Sequence, residues 1–259
     1  MIENQNNLMK KIFIALPLCL LLASCEKTET ETVTVTETID LQRGLIAYYP
    51  FNGNARDTSG NNKDGTLVNG TNFASDAQNK PNSAANFDGT DDYINITDVN
   101  NYFSVPKMSI SFQVNFRNTS LRSAILSKTA FTTPSSVSWG VDLSNRLSFT
   151  VPDPNTNCGT WADNASYHLY STNSFQTNTW YHVTLIYNLG VELMYINGAL
   201  NSAKVNDYST LSQCTAANLK IGGWWQNDVV SIHGKVDELR FYNRILGENE
   251  IEKLAKEVN

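Results

Sequence analysis

The chain has 259 residues, of which 41% are hydrophobic and 17% charged, with a formal net charge of −6 and a pI near 5.1. Lysine and arginine form no cluster beyond the first residues, so a nucleic-acid partner has no electrostatic basis. We expect partners that are neutral or cationic.

The first segment has the three parts of a secretion signal. A basic stretch at residues 9–11 precedes twelve apolar-leaning residues, 12–23, and small residues come just before Cys25. The apolar stretch is too short to span a bilayer core of roughly 30 Å, which favours a secretion signal over a transmembrane helix. Residues 1–8 are polar, so translation is expected to begin at Met9.

The end of this segment, Leu22-Ala23-Ser24-Cys25, resembles the lipobox of bacterial lipoproteins. In that family the cysteine is acylated and becomes the mature N-terminus. The resemblance implies that residues 1–24 are a signal peptide and that Cys25 carries a lipid. It therefore implies a protein of the cell envelope, at the outer membrane, on either its periplasmic or its surface face. The alternative is an ordinary secretory signal with an incidental cysteine.

A tether is expected next. Residues 26–40 read EKTETETVTVTETID, a Thr/Glu-rich stretch with three apolar residues. Such a self-repelling composition predicts a disordered linker, which together with the lipidated cysteine spans residues 25–40. Its short Thr-Val alternation could instead form an edge strand. We expect one domain over residues 41–259.

Short β-like runs separated by Gly, Asn, Asp, Ser and Pro follow the tether. In the clearest strand, Met108 to Phe116, every second residue is apolar and falls on one face. Asn197-Gly198 is typical of a tight hairpin. The other predicted strands are 45–51, 84–87, 93–96, 123–127, 137–143, 146–151, 167–171, 180–187, 191–196, 220–222 and 235–242. This pattern predicts an all-β antiparallel sandwich, with one short helix at Glu248 to Lys256.

Two cysteines remain once Cys19 and Cys25 are assigned to the signal and the lipid. Because the expected compartment is oxidising, a disulfide between Cys158 and Cys214 is predicted. A metal site is the alternative, but no histidine has ligand spacing near either cysteine.

Several blocks of sequence resemble a known family. They are GLIAYYPFNGNARDTSGNNKDGT (44–66), FDGTDDYINI (87–96), WYHVTLIYNLGVELMYINGAL (180–200) and IHGKVDELRFYNRILGENEIEKL (232–254). In order and spacing they resemble laminin G-like, concanavalin A-like jelly-roll domains of secreted bacterial proteins. The resemblance implies a two-sheet antiparallel jelly roll, and it leaves the ligand open because the family binds varied glycans and proteins.

A calcium site is a further expectation. The loop at residues 52–65 is dense in oxygen donors such as Asp57 and Asn62, which hard cations favour. Asp237 has the strand parity of Leu239, so its carboxylate is expected to point inward, where it needs a cation or several donors. Related jelly rolls hold a structural calcium where this aspartate meets an early loop, which implies Ca²⁺ bound by Asp57, Asn62 and Asp237. The alternative is a turn whose aspartate is satisfied by backbone amides.

No catalytic motif is evident. The glycoside hydrolases of this fold carry Glu-x-Asp-x-x-Glu on one strand, and this motif does not occur after Cys25. A Gly-x-Ser-x-Gly elbow is also missing from the sequence, and His182 lies in a strand block that the family uses structurally. We therefore expect a protein that is not an enzyme.

Two loops have the chemistry of sugar recognition, in which exposed aromatic rings lie beside polar side chains. The first loop carries Trp161 and Asp163, and the second carries Trp224, Trp225 and Asn227. Adjacent strand residues point to opposite faces, so one of the two neighbouring tryptophans is expected in the core. The predicted function is noncatalytic binding of a polysaccharide or glycan. The alternatives are a structural or adhesive envelope protein that binds another surface protein, and a glycoside hydrolase with a noncanonical site.

Overall fold

The computed structural model describes residues 39–98, 100, 102–130, 137–154, 165–211, 217–224 and 230–257. These residues belong to one compact unit that begins at Ile39. Within this described part of the chain, no helix has the length and apolar character needed to cross a membrane.

Fifteen strands, one short 3-10 turn and one α-helix are found among the described residues. They are β1 (Leu45–Tyr49), β2 (Thr66–Val68), β3 (Asn72–Ala74), β4 (Ala84–Asp88), β5 (Tyr93–Ile96), β6 (Lys107–Phe116), β7 (Ser123–Ala130), β8 (Val137–Ser144), β9 (Arg146–Thr150), the turn Ala165–Tyr167, β10 (His168–Tyr170), β11 (Trp180–Asn188), β12 (Val191–Ile196), β13 (Ala199–Val205), β14 (Ala217–Ile221), β15 (His233–Tyr242) and α1 (Glu248–Lys256). The helix has the predicted bounds. Strands β2, β3 and β13 were not predicted from the sequence; β2 and β3 have three residues each, and β13 has only exposed and half-exposed residues.

The strands form two antiparallel sheets, which confirms the predicted sandwich. Sheet A has the order β13-β12-β11-β6-β15-β4-β3, with β1 also paired to β15. Sheet B has the order β10-β9-β8-β7-β14-β5-β2. Neighbours such as β6 and β15 are far apart in sequence, which is the connectivity expected of a jelly roll.

The core lies between the sheets. On β6 the alternate residues Met108, Ile110, Phe112, Val114 and Phe116 are at most 3% exposed and belong to one apolar cluster with residues of both sheets. Burial of such side chains stabilises the fold by roughly 25 cal/mol per Å² of apolar surface. The periodicity of this strand therefore specified the inward face of sheet A.

The helix α1 covers part of the outer face of sheet A. On α1, Ile251 and Leu254 pack with Ile186, Tyr195 and Tyr242 of this face in a second apolar cluster. The carboxylate of Glu250 accepts a hydrogen bond from the backbone N–H of Gly247 at 2.8 Å, which caps the start of the helix. The apolar side of the helix thus buries one part of the outer face of sheet A.

Candidate functional site

A patch of polar side chains lies on the outer face of sheet B. On β8, Trp139 and Val141 point into the core, so Gly140 and Asp142 face outward. The pairing register sets Gly140 opposite Thr150 and Asp142 opposite Ser148 of β9. We call this patch the outer polar face, and its members are Ser127, Gly140, Asp142, Ser148, Thr150, His168 and Tyr170.

Hydrogen bonds order the outer polar face. Nδ1 of His168 lies 2.9 Å from Oγ of Ser148 and 2.8 Å from Oγ1 of Thr150. Nε of Arg122 donates to Oδ2 of Asp142 at 2.9 Å, and the residue Asp142 is only 4% exposed. Burial raises the pKa of the Asp142 carboxyl, while the Arg122 guanidinium opposes this shift. The patch therefore holds fixed hydroxyl and ionic groups.

Aromatic rings border this patch. The ring of Tyr170 stacks on that of His168, with 5.3 Å between centroids and an interplanar angle of 11°. The indole of Trp224 lies against Gly140, where an added Cβ would be 2.9 Å from a ring carbon, and Arg122 lies 5.2 Å from the ring centroid. Because Gly140 has no side chain, the indole can lie directly on β8. The four polar residues Ser127, Asp142, Ser148 and Thr150 are at most 4% exposed, so the half-buried His168 and Tyr170 are the members of the patch that reach solvent. Polar groups beside aromatic rings are the usual chemistry of saccharide sites.

The predicted ligand-binding residues divide into two groups. Trp224 lies on this patch and is 7% exposed, and it packs outside the core between the sheets. Four predicted residues lie outside the described residues, namely Trp161, Asp163, Trp225 and Asn227. The segments that carry them follow β9 and β14, two strands of sheet B.

The three cysteines with predicted roles, Cys25, Cys158 and Cys214, also lie outside the described residues. The lipid anchor and the disulfide therefore stay predictions.

Asp237 does not face the core, contrary to the sequence-based expectation. Val236 and Leu239 both lie in the core although they are three positions apart. A β-bulge between Asp237 and Arg240 inserts one extra residue, and Glu238 adopts a positive φ of 49°. The predicted inward direction of Asp237 was wrong because the bulge reverses the alternation of inward and outward side chains along β15. Asp237 therefore lies on the outer face of sheet A, beside its partner Gln113.

Asp237 lies in a polar pocket of about 300 Å³, lined in part by Asn52, Asp76, Gln113 and Glu238. The Asp237 residue is 3% exposed, and its Oδ1 accepts the backbone N–H of Glu238 at 2.8 Å. Burial, followed by the nearby Glu238 carboxylate, raises the pKa of Asp237 to about 8. Among the described residues, Oε1 of Gln113 is buried and has no hydrogen-bond partner. This donor set suits a hard cation.

The other predicted calcium ligands do not line this pocket. The Asp57 carboxylate accepts backbone N–H groups of Tyr48 at 3.0 Å, Ser59 at 2.9 Å and Lys63 at 3.0 Å. Asn62 is exposed in the same loop, with a positive φ of 56°. The structure thus does not bring Asp57 and Asn62 to Asp237, because Asp57 is a turn-forming aspartate satisfied by backbone amides. Asp76, which was not predicted from the sequence, also lines this pocket. It follows β3, which pairs with β4, and β4 in turn pairs with β15.

His182 is a buried residue of β11. It is 2% exposed, and its Nε2 lies 2.9 Å from Oγ of Ser111 on the neighbouring strand β6. Burial lowers the pKa of His182 to about 3, so the ring is neutral at physiological pH. The buried, neutral ring of His182 thus links β11 to β6 through the hydroxyl of Ser111.

Comparisons with known proteins agree with this fold. None of the curated proteins compared with the chain matches it in sequence. Domain 4 of AbnA, a GH43 extracellular arabinanase from Geobacillus stearothermophilus, solved in complex with arabinotriose, is 19% identical, with a TM-score of 0.58 over 82% of this chain and 98% of that chain. The botulinum neurotoxin DC binding domain in complex with SialylT is 16% identical, with a TM-score of 0.60 over 85% of this chain and 53% of that chain.

The receptor binding domain of botulinum neurotoxin D gives a TM-score of 0.62 at 14% identity, over 84% of this chain and 54% of that chain. This chain thus spans about half the length of the toxin binding domains. The family model described as concanavalin A-like lectin/glucanases superfamily, Laminin_G_3, matches residues 88–252, which is more than half of the chain. The chain therefore belongs to the Laminin_G_3 family of concanavalin A-like lectin/glucanase jelly rolls.

Proposed function

We propose that this protein is a noncatalytic carbohydrate-binding protein of the cell envelope. The observation that carries the proposal is the outer polar face, where Asp142 and Arg122 lie beside the rings of Tyr170 and Trp224. Aromatic rings stack on the apolar faces of sugars, while hydroxyl and charged groups hydrogen-bond sugar hydroxyls. A polysaccharide or glycan is the ligand that this combination suits best.

The family and the neighbours add support. The arabinanase domain was solved with arabinotriose and the neurotoxin DC domain with SialylT, and both share the fold of this chain. The loop residues Trp161 and Asp163 follow β9, and Trp225 and Asn227 follow β14. They are proposed to complete the binding surface at the borders of the outer polar face.

Affinity electrophoresis in polysaccharide gels tests the proposal, after a glycan array has selected the polysaccharides. Tyr170→Ala and Trp161→Ala should each weaken retention by about 1 to 3 kcal/mol if the rings stack on sugar. Tyr102→Ala is the matched control, because Tyr102 is 46% exposed and lies elsewhere, against Lys63. If both variants migrate like the wild type in every gel that retains it, glycan binding at this surface is refuted.

A structural Ca²⁺ is proposed in the pocket of Asp237. Asp237 and Asp76 would supply carboxylate oxygens, with amide oxygens from Gln113 and Asn52. Two cationic residues among those described line this pocket: Arg240 is already paired with Glu238 at 2.6 Å and Glu257 at 3.0 Å, and Nζ of Lys80 donates to Oδ1 of Asn52 at 2.7 Å, a contact that Ca²⁺ would displace. A divalent cation would favour the ionised form of Asp237, which burial otherwise opposes.

The envelope location is proposed from the lipobox-like sequence at Cys25. Metabolic labelling with a fatty acid, followed by membrane fractionation, should show a labelled membrane-bound wild type and an unlabelled Cys25→Ala variant. A Cys25→Ala variant that is still labelled and membrane-bound would show that Cys25 is not the anchor. Protease shaving of intact cells would then distinguish the surface face from the periplasmic face.

A further inference from the structure

A second pocket, of about 390 Å³, lies where β11, β12 and β13 meet the segment 172–175. It belongs to sheet A, whereas the outer polar face belongs to sheet B, so the two surfaces are formed by different strands. Its volume falls within the range of about 300 to 1,000 Å³ that is usual for small-molecule sites.

Aromatic and aliphatic side chains form the floor and one wall of this pocket. The rings of Phe175 and Tyr181 meet edge to face, with centroids 4.8 Å apart and an interplanar angle of 73°. Phe175 also packs edge to face on the core residue Phe116 at 5.5 Å, which anchors the floor to the sandwich. Leu200 forms an apolar wall and is 57% exposed. The pocket therefore offers a fixed apolar surface that is open to solvent.

Asparagine side chains form the rim, and their oxygens are already engaged. Oδ1 of Asn201 accepts the backbone N–H of Thr172 at 2.9 Å, and Oδ1 of Asn173 accepts the Thr172 hydroxyl at 2.7 Å. Oδ1 of Asn197 accepts the backbone N–H of His182 at 2.9 Å. These bonds orient the amides, while the NH₂ groups of Asn173 and Asn197 donate no hydrogen bond to any described residue. The rim thus presents oriented donors to a ligand.

No aspartate, glutamate, lysine, arginine or histidine is among the described residues that line this pocket. The Asp237 pocket and the outer polar face, by contrast, both contain ionic groups. A charged ligand would lose hydration here without gaining an opposite charge. The lining therefore suits an uncharged ligand with one apolar side and several hydroxyl groups.

We propose that this pocket is a second saccharide site, which binds one neutral sugar residue. The sugar would place an apolar face against Tyr181 and Leu200 and would accept hydrogen bonds from the amides of Asn173 and Asn197. This inference rests on the proposed carbohydrate binding and adds a site on the other sheet. A chain with two saccharide sites on different sheets could bridge two segments of a polysaccharide.

The test uses the full chain in affinity gels that contain neutral polysaccharides. Leu200→Glu should reduce retention at least tenfold, because it places a carboxylate in the pocket. Val205→Glu is the matched control, since Val205 lies on the same strand, is 76% exposed and does not line the pocket. Ala199→Arg, at an exposed residue of the lining, is a second blocking variant that does not depend on Leu200.

Thermal melting curves should be the same for the wild type and all three variants, so that lost retention reports binding. If neither blocking variant changes retention while Tyr170→Ala abolishes it, the second site is refuted and the outer polar face stands. If the wild type is retained by no neutral polysaccharide, the second site is refuted, and retention on charged glycans then decides the proposed function separately.

Discussion

Among the properties of single residues, the burial of charged side chains was the least predictable from the sequence pattern. Nζ of Lys128 lies 3.0 Å from Oδ2 of Asp98, and both side chains have no exposed surface. Oδ1 of Asp98 also accepts the backbone N–H of Tyr102, and its Oδ2 that of Phe103. Burial lowers the pKa of Lys128, and the Asp98 carboxylate opposes this shift. Each member of the pair thus offsets part of the desolvation of the other.

Asp98→Ala should reduce the free energy of unfolding by about 3 to 5 kcal/mol, because it leaves an uncompensated charge on Lys128. Urea denaturation, followed by tryptophan fluorescence, measures this loss. Lys256→Ala is the control, since Lys256 is 77% exposed and pairs with Glu252 at only 3.7 Å, and it should change stability by less than about 0.5 kcal/mol. Equal effects of the two substitutions would contradict a buried ion pair.

Protonation of Glu192 should make the free energy of unfolding depend on pH in the acidic range. Its carboxylate is fully buried, with Asn206 donating to Oε1 at 2.5 Å and Lys204 at 3.3 Å. Burial raises the pKa of Glu192 to about 7, although Lys204 lowers it in part. The native state therefore keeps the proton to a higher pH than the unfolded chain, whose glutamate has a pKa of about 4.3.

The contribution of Glu192 is fully present below about pH 4.3 and is lost as the pH rises to about 7, by roughly 3 to 4 kcal/mol. In Glu192→Gln this part of the pH dependence should vanish. Chemical denaturation of the wild type and of the variant at several pH values between 4 and 8 measures it. Parallel stability curves for the two proteins would show that Glu192 titrates normally.

Strands and turns were predictable where local chemistry determines them. The alternation on β6 indicated its inward face, and the Asn197-Gly198 pair forms the hairpin turn between β12 and β13, with φ values of 51° and 83°. Asn and Gly tolerate positive φ, so the sequence itself marks this turn. Glu238 adopts a positive φ of 49° without any such mark. The bulge on β15, and with it the direction of Asp237, could not be predicted from the chain alone.

The candidate site was only partly predictable for a related reason. The sequence identified Trp224 from its polar neighbours, but its indole packs against Gly140 of β8, which pairs with Thr150 of β9. Strand order and register bring these residues together, and neither is encoded in a local motif. Trp139 lies in the core, whereas Trp180 is half-buried, with Nζ of Lys235 lying 5.6 Å from its ring centroid.

The stability of the C-terminal helix α1 should depend on Arg244. Its Nη1 and Nη2 donate to the two oxygens of Glu250 at 2.7 and 2.6 Å, and its guanidinium also reaches the carbonyls of Asp40 and Arg43. Arg244→Ala should lower the free energy of unfolding by about 2 to 3 kcal/mol, because a bidentate, mostly buried pair is lost. Hydrogen exchange should accelerate in α1 before it does in β6. Unchanged exchange in α1, as expected for the exposed control Arg56→Ala, would rule out this role.

The two outer faces of the sandwich differ in what covers them. Sheet A is covered in part by α1 and contains the polar pocket of Asp237, whereas sheet B carries the outer polar face with its aromatic border. A cation on sheet A would be structural, because it would join β15 to the loop of Asp76. The proposed saccharide sites, on sheet B and at the pocket of β11, β12 and β13, do not include Asp237, so calcium binding and carbohydrate recognition should be separable by substitution.

Removal of Ca²⁺ should lower the melting temperature of the wild type. Binding to the folded state alone adds about 2.7 kcal/mol at a hundredfold excess of ligand over Kd, and this gain is lost in chelator. Asp237→Asn should melt at one temperature with or without Ca²⁺, whereas Asp57→Asn should keep the calcium response because Asp57 does not line the pocket. A melting curve of metal-loaded wild type that does not shift in chelator would refute the site.

A crystal structure of the protein with an oligosaccharide selected on the glycan array tests carbohydrate binding by sheet B most directly. The ligand should lie over the outer polar face, with a sugar ring on Tyr170 or on an adjoining tryptophan and hydroxyl groups within hydrogen-bond distance of Arg122 or Asp142. Crystals soaked at saturating concentration in which the saccharide occupies other surfaces only, or none, would contradict the proposal.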